Sequence, residues 1–284
     1  MLHALAERGT AVRCLTRRPA AITEKLGPGS EVVRGDCLDA ATLGSALEGI
    51  GIALYLVHSM GQGGDFAEQD RRAARNFAAA AKAAGVARIV YLGALGAQDQ
   101  PMSRHLRSRR ETGEILRESG VAVIEFRASI ILGAGSTSFE LVRSLTERLP
   151  VLICPRWVST LAQPIAIDEV VLYLLAAIDL PEGTGSRIFE IGGKEQVSYL
   201  DLMRAYAQAR GLRRLFITVP VLTPWLSSLW LALVTPILAE VGRELIEGVR
   251  TPTVVRDEGA LRAFPIRPRP VRRAMAEAVA ATAR

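Results

Sequence analysis

A strand–helix–strand unit between Gly51 and Gly96 constrains this chain more than any other stretch. It opens with the apolar run Gly51-Ile-Ala-Leu-Tyr-Leu-Val-His58 and passes a glycine-rich turn, Gly61-Gln-Gly63-Gly64. An Ala/Arg-rich segment follows from Asp65 to Ala84, and Arg88-Ile-Val-Tyr-Leu-Gly-Ala-Leu-Gly96 closes the unit. The two apolar runs are too brief for helices. The middle carries strong helix formers, with Phe66, Ala73, Phe77 and Ala80/Ala81 along one face. Uninterrupted apolar strands around a helix predict a parallel βαβ unit whose strands are covered on both sides. Gly85 ends the helix and Val86 turns the chain into the next strand.

The same alternation extends outwards. Residues 1–8 read as part of a helix stopped by Gly9, 11–15 and 31–34 as strands, and 41–47 as a short helix. Residues 103–119 predict a basic helix ended by Gly120. Residues 121–127 and 130–132 predict a strand running out into Gly133-Ala-Gly135. Six alternations give an α/β fold with a doubly wound parallel sheet. Beyond about residue 138 the pattern turns irregular, with Pro150, Pro155, Pro164 and Pro181. The expected organisation is therefore a dinucleotide-binding core over 1–137, then a mixed region over 138–284. That region holds a smaller substrate lobe, a returning strand at 188–191 and a helix capped by Ser198.

Composition narrows the partners. The charge of +6 is carried almost wholly by arginine, Lys25, Lys82 and Lys194 being the only lysines. Such a balance suits an anionic cofactor, a nucleic acid or a membrane surface, or reflects an arginine-biased composition. The Arg104–Arg110 cluster by itself does not support a nucleic-acid partner. Cys14, Cys37 and Cys154 lie far apart and only three histidines exist, so neither a disulfide framework nor a metal site is expected. A reducing cytoplasm is the expected compartment.

Six segments then carry a resemblance. They are Arg13-Cys-Leu-Thr-Arg-Arg-Pro19, Gly35-Asp-Cys-Leu-Asp39, Tyr55-Leu-Val-His-Ser59, Arg88-Ile-Val-Tyr-Leu-Gly93, Phe126-Arg-Ala-Ser-Ile-Ile-Leu-Gly133 and Gln163-Pro-Ile-Ala-Ile-Asp-Glu-Val170. In this order they resemble the extended or atypical short-chain dehydrogenase/reductases, in the NmrA-like and NAD(P)-dependent epimerase-like branch. The resemblance implies a Rossmann-type core and a nicotinamide dinucleotide, NADP(H) in preference to NAD(H). It further implies an oxidoreductase acting on a small hydrophobic molecule or, in another class, a non-catalytic NAD(P) sensor or membrane-associated assembly protein.

Two departures qualify it. The family opens with a strand and a GxxGxxG loop that holds the pyrophosphate at a helix N-terminus. Here Met1 falls where the middle of the first helix is expected, which reads as a truncated or wrongly chosen start. Dinucleotide binding by the chain as it stands is accordingly expected to be weak. The redox members also place Lys four residues after a catalytic Tyr. Tyr55, Tyr91, Tyr173, Tyr199 and Tyr206 are followed at that spacing by Ser, Leu, Ala, Met and Arg.

The helix that should carry the pair offers His105 and Arg109, read either as a proton donor with its charge-tuning neighbour or as a solvated basic face. Among cofactor-binding candidates, Arg17 and Arg18 suit a 2′-phosphate. Asp36, Cys37 and Leu38 match the adenine side, while Val57, His58 and Ser59 lie where the cofactor ribose would pass. Gly93 and Ala94 replace the family's helper serine, and Arg127, Ala128 and Ser129 resemble the nicotinamide end. Asp168 reads as structural. Finally, the run from Leu215 to Ala239 carries no charge but is interrupted by Pro220, Pro224 and Pro236. It reads as a substrate-lobe helix at 225–234, with peripheral membrane contact as the other option.

Overall fold

The computed structural model describes residues 1–59, 65–96, 102–148, 150–154, 156–219, 248 and 251–282. The glycine turn at 61–64 and the expected helix at 225–234 lie outside them. The chain forms two compact units, each gathered from three segments. The first comprises Met1–Gly93, Ser108–Phe126 and Val171–Ile188. The second comprises Ala94–Arg107, Arg127–Val170 and Phe189–Arg284.

In the first unit the chain runs α1 (Leu2–Glu7), β1 (Arg13–Thr16), β2 (Glu31–Arg34), α2 (Leu43–Leu47), β3 (Ile52–Tyr55), α3 (Phe66–Ala83) and β4 (Arg88–Ala94). β1 and β2 pair in parallel as their own two-stranded sheet, Thr16 opposite Arg34. β3 and β4 are also parallel, Ile52 opposite Arg88 and Tyr55 opposite Tyr91. They lie in a parallel central sheet of order β10–β5–β4–β3, with β5 at Ala122–Ala128 and β10 at Arg187–Ile191. The expected α/β, Rossmann-like class is the one observed.

α3 forms where expected because Asp65 caps it, accepting from the amides of Ala67 and Glu68 at 3.1 Å each. Its buried stripe, Phe66, Ala73, Ala74, Phe77, Ala78 and Ala81, packs against a core that includes Tyr55, Tyr91, Leu43 and Leu47. Gly85 takes the left-handed conformation at φ 73° that ends the helix, and Gly120 does the same at φ 84° after α4 (Arg104–Glu118). Arg88, only 4% exposed, donates to the carbonyls of Ala177, Leu180 and Pro181 at 2.5–3.1 Å. A buried guanidinium thereby satisfies the chain ending α6 (Ile167–Ile178).

In the second unit, β6 (Ile131–Leu132) pairs with β9 (Ile165–Ala166), and β8 (Leu161–Ala162) with β11 (Val197–Ser198). β7 (Val151–Cys154) pairs in parallel with β12 (Leu215–Thr218). One local expectation changes: residues 130–132 do not prolong β5 but leave it to pair with β9. The uncharged run from Leu215 opens with β12, ahead of the helix expected at 225–234. α5 (Thr137–Arg148), α7 (Tyr199–Ala209) and α9 (Val271–Thr282) share a core built on Phe139, Tyr206 and Met275; a short α8 (Gly259–Ala263) precedes the last of these. Ser198 caps α7 through a reciprocal box with Asp201.

Candidate functional site

Because β3 and β4 run parallel and in register, their C-terminal ends emerge together. Ligands of open α/β sheets bind at such ends. Past β3 the chain exposes Leu56 and Val57 at 45% and 37%, an apolar pair left uncovered, and then turns inwards at His58 and Ser59. What turns it inwards is Asp70. This residue sits on the buried stripe of α3, four after Phe66 and three before Ala73, and is 3% exposed. Its carboxylate accepts the Ser59 amide at 2.8 Å and the Ser108 hydroxyl of α4 at 2.9 Å, with His58 Nδ1 at 3.8 Å. Burial raises the Asp70 pKa, but the donors from His58, Ser108 and Ser59 outweigh it and hold the carboxyl below its ordinary range.

Arg109 fastens the same edge. Its guanidinium donates to the carbonyl of Val57 at 3.3 Å and to that of Leu92, tying the ends of β3 and β4 to α4. It also lies 5.1 Å from the centre of the Tyr91 ring. Tyr91 in turn donates its hydroxyl to the Arg109 carbonyl at 2.7 Å, and burial pushes its pKa up to about 12. Tyr91 is therefore a fixed donor within the scaffold and not a proton shuttle. Gly93 is small for a reason: a Cβ there would stand 3.3 Å from Glu125 Oε1 and 3.2 Å from the Tyr91 ring.

A second cluster lies past β1 and β2. Gly35 is closely packed, since a Cβ would meet Leu15 Cδ1 at 2.5 Å and Thr42 at 3.0 Å. Asp36 accepts the Leu38 amide at 2.9 Å, and its own amide donates to Thr42 Oγ1 at 3.1 Å. Asn76 of α3 donates to the Cys37 carbonyl at 2.9 Å, fixing the turn. Arg17 and Arg18 are exposed beyond β1, Arg17 Nη1 standing 4.0 Å from Asp36 Oδ2. Cys37 is buried, and burial first, then Asp36, pushes its thiol up to about 11, so it stays protonated.

The sequence-derived candidates thus divide. Arg17, Arg18, Asp36, Cys37, Leu38, Val57, His58, Ser59, Gly93 and Arg109 belong to the first unit. Ala94, His105, Arg127, Ala128 and Ser129 belong to the second. There, Ala128 accepts the Leu95 amide at 2.8 Å and the Ser129 hydroxyl lies 2.7 Å from that of Thr253. Sequence reasoning passed over Asp70 and Ser108. Asp70 carried a signal, being a carboxylate on the apolar face of a helix; Ser108 carried none.

The exposed apolar pair at 56–57 suits a flat aromatic or ribose surface, and the exposed guanidiniums of Arg17 and Arg18 suit a phosphate. The described residues fit the adenosine end of a dinucleotide. Among them, the turn Gly133-Ala134-Gly135 joins β6 to α5; it belongs to the second unit and does not follow an early strand. No group of His, Cys, Asp and Glu among the described residues could hold a metal ion. The family model described as NAD(P)H-binding matches residues 1–143. The chain belongs to that NAD(P)H-binding family. No curated protein matches this NAD(P)H-binding protein significantly.

Solved structures resemble it over nearly their whole length. A complex of MoeE5 with UDP-glucose and NAD is 19% identical with a TM-score of 0.73, covering 99% of this chain and 93% of that one. The Citrobacter sp. triphenylmethane reductase complexed with NADP(H) is 15% identical with a TM-score of 0.72, covering 94% and 90%. The UDP-glucose 4-epimerase of Thermotoga maritima with UDP-glucose is 13% identical with a TM-score of 0.72, covering 99% and 93%. At these identities the likeness is one of fold. It is the fold of the short-chain dehydrogenase/reductase resemblance.

Proposed function

We propose that the C-terminal edge of the first unit's parallel strands holds the adenosine end of NADP(H), in a cytoplasmic oxidoreductase acting on a small hydrophobic molecule. In this reading Arg17 and Arg18 take the 2′-phosphate and Asp36–Leu38 line the adenine side. Val57–Ser59 follow the cofactor. The observation that carries it is the Asp70 hub. A buried carboxylate is spent on fixing the direction of one strand-end loop, a demand that ligand binding makes and packing does not. Asp70 and Arg109 are positioning residues here. When bound, the nicotinamide supplies or accepts the hydride. Proton transfer falls to the chain, and His105 on the first turn of α4 is the candidate donor.

Gly93, Ala94, Arg127, Ala128 and Ser129 keep the roles the resemblance gives them. A non-catalytic cofactor sensor is the rival reading, favoured by the absence of any Tyr-x-x-x-Lys pair and by the commitment of the Tyr91 hydroxyl to Arg109. Titrating the protein with NADPH and NADH in parallel tests the cofactor assignment. NADPH should bind the tighter by about tenfold, the worth of roughly one charge-assisted contact. Equal affinities would remove Arg17 and Arg18 from the site. If turnover is found, His105→Ala should lower it about 10²-fold or more.

Peripheral membrane contact at the run from Leu215 to Ala239 is a second reading. One observation favours it: Leu215 and Ile217 are 57% and 43% exposed. No helix among the described residues is long and apolar enough to cross a membrane.

A further inference from the structure

Within the second unit, β7 and β12 form a two-stranded parallel sheet whose two faces differ. Leu152 and Cys154 point into the core, at 1% and 0% exposure, and Phe216 packs against the same core. On the other face Val151 stands opposite Leu215 and Ile153 opposite Ile217. All four are exposed, at 37–57%. Side chains opposed in register on one face are neighbours, so these four make one continuous aliphatic patch rather than scattered surface residues.

Charge is distributed around this patch unevenly. Arg148 ends α5 just before β7, and Arg213 lies just before β12; both are exposed. Since the strands are parallel and in register, the two arginines fall at the same end. Arg210, at the end of α7, is also exposed and stands 3.4 Å from Glu147. Glu147 is itself engaged by the Tyr206 hydroxyl at 2.6 Å and by Arg143 at 3.4 Å. Arg214 is drawn the other way, donating to the carbonyls of Thr146 and Glu147 at 2.7 and 3.0 Å, so it belongs to the scaffold. Aliphatic side chains at one level and guanidiniums at one end match the layering of a bilayer surface, acyl chains below and anionic headgroups above. The chain then continues from β12 to Ala239 without a single charge.

We infer that the outer face of β7–β12, formed by Val151, Ile153, Leu215 and Ile217 and rimmed by Arg148, Arg210 and Arg213, docks on anionic lipid surfaces. The inference rests on the membrane-contact reading and assigns that contact to a particular face. It makes the protein a peripheral one, held by shallow apolar insertion together with headgroup charge.

The test is co-sedimentation of the full chain with phosphatidylcholine vesicles, with and without phosphatidylserine. Phosphatidylserine should strengthen binding about tenfold or more, and added salt should reverse the gain, as expected for two or three arginines near a charged surface. The double change Ile153→Ser and Ile217→Ser should lower binding about tenfold with an unchanged circular dichroism spectrum. Arg213→Glu, an exposed change that does not touch the core, should cut the phosphatidylserine gain several-fold. If wild type binds vesicles but none of these changes weakens it, the face is wrongly assigned while membrane contact stands. If wild type binds neither vesicle, both fall. A dimer in solution that Ile153→Ser and Ile217→Ser dissolves would give the face to a second copy and overturn the lipid assignment.

Discussion

Asp70 in the first unit and Glu169 in the second are both buried at 3% exposure, and the two are treated differently; Glu125 of the first unit, at 1%, is paired with Arg117 as Glu169 is with Arg269. Glu169, at the start of α6 in the second unit, accepts from the Arg269 amide at 2.6 Å and its Nε at 3.1 Å. The same guanidinium reaches Asp168 and Glu277. A permanent cation thus balances the buried charge, and the result is a staple that ties α6 to the segment preceding α9. Asp70 in the first unit receives a backbone amide, a hydroxyl and an imidazole, none of them a permanent cation. Such a carboxylate is a costly way to hold a loop. It is worth keeping where the loop must present a defined surface, and here that surface lies at the C-terminal ends of β3 and β4. Burial alone marks neither residue as functional; the nature of the balancing group separates them.

The comparison can be broken first through stability. Glu169→Ala leaves the Ala166 and Arg269 amides without their buried acceptor and removes one of three carboxylates from the Arg269 guanidinium, and should cost about 3–5 kcal/mol, measured by urea unfolding. A loss below about 1 kcal/mol would show that Asp168 and Glu277 suffice and the staple is redundant. Asp70→Asn keeps the shape but loses the charge. It should cost less, about 1–3 kcal/mol, because the side-chain shape and its hydrogen-bonding positions are kept and no permanent cation is left unbalanced. Were Asp70→Asn the more damaging change, the two carboxylates would have to exchange roles.

Acid unfolding sharpens the same contrast. A carboxyl held below its ordinary pKa contributes stability that is present above its unfolded pKa of about 3.9 and is lost as pH falls through the folded value. Asp70 and Asp168 are both held low, the second because Arg269 outweighs its burial. Wild-type stability should decline below about pH 4, and Asp70→Asn should flatten that decline. An unchanged acid limb in the variant would mean that the Asp70 donors do not favour its charged form. The smallest expected effect is on cofactor choice. Arg17→Ala together with Arg18→Ala should erase a preference of about tenfold for NADPH over NADH while leaving NADH binding and stability nearly intact.

Much of the first unit was legible in the sequence because its cues are local. Apolar runs, the Ala/Arg helix and the glycines at 85 and 120 each specify an element without help from distant residues. The strand at 31–34 fell where the pattern put it for that reason. Residues 130–132 were misread, and 215–218 were assigned no element, because short apolar segments take their pairing partners from far away, β9 and β7 respectively. Of the proposed site, Arg17, Arg18, Asp36 and Val57–Ser59 are candidates drawn from motif order. Arg109 was noticed for its spacing from His105, but its geometry is that of a clamp on Val57 and Leu92, a long-range relation no spacing reveals. Asp70 could have been found as the one acid on the buried face of α3; Ser108 only becomes visible once α4 is set beside α3.

The most direct test of the cofactor-edge assignment compares NADPH affinity in wild type, Asp70→Asn and Glu169→Gln, each at a temperature where all three are folded. Binding is expected to be weaker than wild type by at least about tenfold in Asp70→Asn, with Glu169→Gln unchanged. Equal affinities in wild type and Asp70→Asn, or equal losses in both variants, would contradict the assignment of the Asp70 edge to the dinucleotide.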